Sequence, residues 1–262
     1  MRSQKSKKLS WMICTLGWLA AIISFSFLPD VIPTNFSDGV PGNFSDKSSI
    51  FLWPLGLRGN YEETYSWLLM FSDGNRIDIG VETVDAMKSG KNRNKLFLPL
   101  LDKAGCLPKL PPPTDEEFYV RKPAETRFRG CCNEFFWSLC DVAKGILRDE
   151  LPFAMSTYYT QSHPMLEIML GWFAGSRTDY SVSCGKQNKY FKRYLPEDIY
   201  LSYTQTFPDG SYEHFWQSIK NSCGLFRKVA ELTAESLGLA YPEEYEQGFM
   251  KYMELVKKDE KA

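Results

Sequence analysis

The sequence predicts an α+β chain, a short strand-rich stretch followed by a helical half, and two observations carry that expectation. An Asp-Gly turn separates two β-prone runs near residue 74, and beyond about residue 121 the apolar residues change from alternating to helical spacing. A length of 262 residues accommodates two modest cores.

The two β-prone runs are residues 65–71 and 76–81, joined by Ser72-Asp73-Gly74-Asn75, a strong hairpin signal. Alternation puts Ile77, Ile79 and Val81 on one face of the second strand and Arg76, Asp78 and Gly80 on the other. Asp78 is therefore either a solvated acid on a half-buried strand or a group lining a cleft.

A proline-rich loop, LPKLPPPTDEEF at 107–118, leads to the helical half, with the boundary expected near Arg121. Pro123 suits the first turn of a helix whose stripe is Phe128, Cys131, Cys132, Phe135, Leu139, Val142 and Ile146. Pro164 is expected to open a further helix that Gly175 caps. Ser211 is expected to cap a long helix carrying Phe215, Ile219, Phe226, Val229 and Leu237. A last helix from about Pro242 places Tyr245, Phe249, Tyr252, Met253 and Val256 on one side and ends at Lys257 and Lys258, near its negative dipole end.

The N-terminal stretch is unlike the rest. Residues 11–28, WMICTLGWLAAIISFSFL, carry no charge and follow the basic KSKK at 5–8, the pattern of an uncleaved membrane anchor. Loop-like sequence follows, with NFSD at 35–38 and again at 43–46.

Composition excludes some function classes. With 31 basic and 32 acidic residues the net charge is −1, which gives no basic footprint for nucleic acid. Seven cysteines without a CxxC pair point to neither a disulfide framework nor a zinc site, and fit a reducing cytoplasm. The two histidines, His163 in a His-Pro turn and His214 on a helix, are too few for an imidazole metal site.

FSDGNRIDI at 71–79, LLDK at 100–103, PTDEEFYVRKP at 113–123, CCNEFFW at 131–137, GKQNKYFKRYL at 185–195, LFRKV at 225–229 and YPEEY at 241–245 occur in an order that resembles the aminoglycoside 6-adenylyltransferase (streptomycin adenylyltransferase) family. The resemblance runs from about residue 65 to the end of the chain. It implies a polymerase-β-like nucleotidyltransferase domain with a small mixed sheet, incomplete here, followed by a C-terminal α-helical bundle domain. It further implies that AMP passes from ATP to an aminoglycoside hydroxyl with Mg2+ holding the phosphates.

By that resemblance Asp78 matches the third acid of the metal site, as a metal ligand or as the proton acceptor. Lys186 and Lys189 become candidates for the ATP phosphates and Tyr190 for the nucleotide, against the alternative of solvated surface lysines. A polycationic substrate calls for acids and flat apolar faces, for which Glu134, Trp137, Asp115, Glu116 and Glu117 are candidates; core packing for Trp137 and solvation for the acids are the alternatives.

The family's GSR turn and D-x-D strand, which should precede the hairpin, are not found between residues 6 and 64. The letters GSRTD at 175–179 copy the motif at the end of an expected helix, where no D-x-D follows. The expected organisation is thus an anomalous segment at 1–64, the remainder of the nucleotidyltransferase domain at 65–120 and a helical domain at 121–262. The segment 1–64 is either a reading-frame accident or a real insertion carrying an anchor. Two alternatives stand beside the transferase: a non-catalytic remnant that binds nucleotide or aminoglycoside, and a membrane-anchored protein of another role.

Overall fold

The computed structural model describes residues 11–14, 51–53, 64–70, 76–90, 93–103, 105, 107 and 109–259. They fall into two compact units divided between Thr114 and Asp115. The acids at 115–117 therefore belong to the helical unit, ahead of the boundary expected at Arg121. Of the uncharged run at 11–28, residues 15–28 lie outside the described residues, as do both NFSD copies. Among the described residues no helix is long and apolar enough to cross a membrane.

The first unit holds a four-stranded sheet of β1 (Trp11–Cys14), β2 (Phe51–Trp53), β3 (Thr64–Met70) and β4 (Arg76–Thr83), in the order β1-β4-β3-β2. The hairpin is the expected one: β3 and β4 pair antiparallel from Thr64 opposite Glu82 to Met70 opposite Arg76, with Leu68 opposite Asp78. Every pairing among the described strands is antiparallel, where the resemblance implies a mixed sheet.

The chain leaves β4 directly into α1 (Val84–Ser89). Thr83 starts that helix by accepting from the Ala86 backbone, and Gly90 closes it at a positive φ of 68°. A small apolar centre forms where Val84, Phe97 and Leu107 pack on Met87.

The second unit is a bundle of α2 (Glu125–Leu147), α3 (Leu151–Thr157), α4 (His163–Arg177), α5 (Phe191–Tyr194), α6 (Glu197–Thr204), α7 (Tyr212–Leu237) and α8 (Glu243–Asp259). The α2 stripe is buried throughout, from Phe128 to Ile146. Each large apolar side chain so buried stabilises the fold by about 1.5–3 kcal/mol. Ser211 caps α7, accepting from the His214 backbone, and Gly238 ends it in the left-handed region.

Three local expectations are corrected. Pro123 stands one residue before the N-cap Ala124 and not in the first turn of α2. Gly175 does not end α4, which runs on to Arg177. Its missing Cβ instead admits the Tyr180 ring, which would lie 2.7 Å from such an atom, after the chain doubles back through left-handed Asp179 and Tyr180. His163 lies in no turn: a π-helical turn at Tyr158–Ser162 joins α3 to α4 and carries the ring into the core, 3% exposed.

Around His163 the buried polar groups satisfy one another. The Thr206 hydroxyl donates to the Tyr203 carbonyl at 2.7 Å, so at 3.0 Å it accepts from His163 Nε2, which fixes the proton there. Tyr203 Oη donates to Glu167 at 2.6 Å, and Tyr158 Oη donates to the Thr206 carbonyl at 2.6 Å. This cluster fastens the segment after α6 to the π-turn.

Candidate functional site

The second unit carries a groove where α2 lies against α8. Beside its core stripe, α2 shows a second line at helical spacing, Asn133, Trp137, Asp141 and Lys144, and α8 faces it with Tyr245, Phe249 and Tyr252. Together with Phe136, Cys140, Glu244 and Gly248 they enclose about 400 Å³. Trp137 is 69% exposed, so it serves the groove and not the core.

Charges in this groove are paired but accessible. Lys144 donates to Asp141 at 2.8 Å and lies 6.0 Å over the Tyr252 ring; Arg129 donates to Glu244 at 2.5 Å and lies 5.8 Å over Tyr245. Hydrogen bonding to those carboxylates holds both cations above their ordinary pKa values. Burial pushes the Cys140 thiol up, which keeps it protonated and unsuited as a nucleophile. Flat aromatic faces beside exchangeable carboxylates suit a sugar ring that carries cations.

Of the residues singled out from sequence, Trp137 forms part of this groove. Glu134 stands one turn before it on α2, half-buried and outside the lining, its carbonyl accepting from Ser138 at 2.6 Å. Asp115, Glu116 and Glu117 are exposed around a 3-10 turn at Glu116–Phe118, and the groove includes none of them. Asn133, Asp141, Lys144 and Glu244 are not among the residues the sequence singles out, although the first three share the helical spacing of Trp137 at 133, 137, 141 and 144.

Lys186, Lys189 and Tyr190 lie in a tight loop outside the groove. Gly185 takes a φ of 75°, and Gln187 and Asn188 are left-handed at 54° and 57°. Such non-glycine residues cost of order 1–3 kcal/mol each and concentrate where a ligand is gripped. The loop displays the exposed Lys186 and Lys189, the latter 5.0 Å over the Tyr190 ring, and that ring covers Gly185.

Asp78 sits in mid-β4. The described strands read WMIC, FLW, TYSWLLM and RIDIGVET, so Asp78 and Glu82 are their only acids, both on β4. Among the described residues no three His, Cys, Asp or Glu side chains cluster to hold a metal.

Comparison with known proteins gives two domain matches. The family model for streptomycin adenylyltransferase matches residues 56–256, and that for a domain of unknown function, DUF1648, matches residues 12–57. An aminoglycoside 6-adenylyltransferase of Bacillus subtilis (strain 168) is 32% identical over 191 residues, 72% of this chain and 67% of the relative. Those of Campylobacter jejuni and Staphylococcus aureus are 33% and 32% identical, covering 69% and 62% of this chain. The chain spans 63% and 58% of those two relatives' lengths. The crystal structure of an aminoglycoside 6-adenyltransferase from Bacillus subtilis superposes with a TM-score of 0.52 at 24% identity, covering 97% of this chain and 93% of that one, which is a likeness of fold.

Proposed function

The chain belongs to the streptomycin adenylyltransferase family, and from that premise we propose that it binds a streptomycin-type aminoglycoside and ATP. The family match across residues 56–256 is the observation that carries this reading. The reaction to which such a pair of ligands belongs is attack of an antibiotic hydroxyl on the α-phosphorus of ATP. The new P–O bond forms as the bond to pyrophosphate breaks, and the hydroxyl proton passes to a base.

In this reading a sugar ring of the antibiotic stacks on Trp137, and its cations exchange onto Asp141 and Glu244, with Glu134, Asp115, Glu116 and Glu117 adding negative field. Lys186 and Lys189 meet the triphosphate and Tyr190 the nucleotide, displayed by the strained loop. By the family resemblance, Asp78 is the acid that would accept the hydroxyl proton or ligate the metal. Magnesium would neutralise the phosphates of the nucleotide, and by the family resemblance Asp78 would be one of its ligands. Use of ATP and free thiols at Cys131, Cys132, Cys140, Cys184 and Cys223 suit a cytoplasmic setting.

Calorimetric titration of the full chain with streptomycin and, separately, with ATP tests the proposal. Saturable heat is expected from each ligand; silence from both would sink it.

A further inference from the structure

Two cations of the chain itself stand at the groove between α2 and α8, and both are held in the same way. Arg129 donates to the Glu244 carboxylate and lies over the Tyr245 ring; Lys144 donates to Asp141 and lies over Tyr252. A carboxylate beside an aromatic face is a seat for a cation, and here the chain's own side chains fill both seats. The four charges cancel in pairs, so a cationic ligand finds no uncompensated acid among them. It reaches Asp141 and Glu244 by exchange, one ligand cation for each side chain displaced.

Exchange costs little because neither pair is buried. Arg129 and Glu244 are 39% and 55% exposed, and Lys144 and Asp141 are 43% and 39% exposed. Ion pairs this accessible add little to stability, and a displaced arginine or lysine regains water.

The seats differ in kind and stand at a fixed spacing. The one at Glu244 and Tyr245 holds a planar guanidinium, and the one at Asp141 and Tyr252 a compact ammonium. Tyr245 and Tyr252 are seven residues apart on α8, about 10 Å along the helix axis. Between them Gly248 lines the groove, and a Cβ there would meet nothing within 4 Å, so the space between the seats is open to the body of a ligand. Trp137 lines the same groove from α2.

We infer that Arg129 and Lys144 are resident stand-ins for the ligand's cations, and that the groove selects a molecule carrying a guanidinium and an ammonium about 10 Å apart. The inference rests on the aminoglycoside reading above and narrows it to guanidinium-bearing members of that class. A ligand with ammonium groups alone does not match the planar seat and leaves Arg129 in it. The two side chains thus act as specificity residues, yielding to a ligand that replaces both.

Calorimetry on the full chain tests it with streptomycin, which carries guanidinium groups on one ring and a methylammonium on another. Arg129→Met and Lys144→Met each empty one seat and keep an apolar stem, at positions exposed enough to leave the fold intact. Each is expected to tighten streptomycin binding about two- to fivefold, since the ligand no longer has to break an exposed pair. Lys251→Met removes a charge from an exposed position of α8 outside the groove lining, and is expected to leave the affinity unchanged. Unchanged or weaker binding in either seat variant, or an equal gain in Lys251→Met, would overturn the inference. Agmatine and putrescine, four-carbon chains that differ only in a guanidinium at one end, then compete with streptomycin. Agmatine is expected to displace it at the lower concentration, and to lose that advantage in Glu244→Gln; equal displacement by the two in the unaltered chain would overturn the assignment of the seats. No streptomycin heat from the unaltered chain or from either seat variant would fault the aminoglycoside reading itself, and the inference with it.

Discussion

The rings of Phe135 and Phe226 stack 4.0 Å apart and 3° from parallel, joining α2 to α7 at the centre of the bundle. Phe136 meets the same Phe226 ring edge-on at 5.7 Å, and all three are buried. Phe226→Ala removes both contacts and leaves a cavity, so a loss of about 3–5 kcal/mol is expected in urea unfolding of the helical unit. A loss under about 1 kcal/mol would mean that the helices do not meet here.

His163 and His214 are predicted to titrate on opposite sides of 6.5. Burial lowers the His163 pKa, with Glu167 opposing, whereas a hydrogen bond to Asp209 raises that of His214. Since the folded His163 resists protonation, its contribution to stability is complete above about 6.5 and declines as the pH falls below it. For His214 the sign reverses: its contribution is complete below about 6.5 and is lost as the pH rises through the folded value. With two histidines in the chain, imidazole NMR titration resolves both curves. Two curves centred together at 6.5 would refute the arrangement.

Cys131 and Cys132 should resist alkylation in the native protein at pH 8. Burial raises both thiols, that of Cys132 to about 12, which suppresses the reactive thiolate. Peptide mapping after iodoacetamide treatment should find both unmodified until denaturant is added. Rapid native labelling of either would contradict their burial under the bundle.

Much of the helical unit was legible because its elements announce themselves locally. The apolar stripe from Phe128 to Ile146 has helical spacing, and Ser211 has a hydroxyl where α7 needs an acceptor. Pro164 stands in the first turn of α4 as expected, whereas Gly175 misled for a physical reason. A glycine can end a helix, but this one admits the Tyr180 ring while α4 runs on to Arg177. The groove was hidden because it depends on residues more than a hundred positions apart, as in the Arg129 to Glu244 pair, which no local period reports. Asp78 was visible as an odd acid on a strand, yet its partner Leu68, and the pairing of β1 along the other edge of β4, emerge only from the register of the sheet.

The groove between α2 and α8 is where we propose that the aminoglycoside binds. Trp137 is exposed there, so Trp137→Ala removes a binding face at little cost to the fold. Streptomycin affinity measured by calorimetry should fall roughly tenfold or more in that variant, equivalent to about 1.4 kcal/mol, while ATP affinity stays unchanged. Streptomycin binding as tight in Trp137→Ala as in the unaltered chain would contradict the claim.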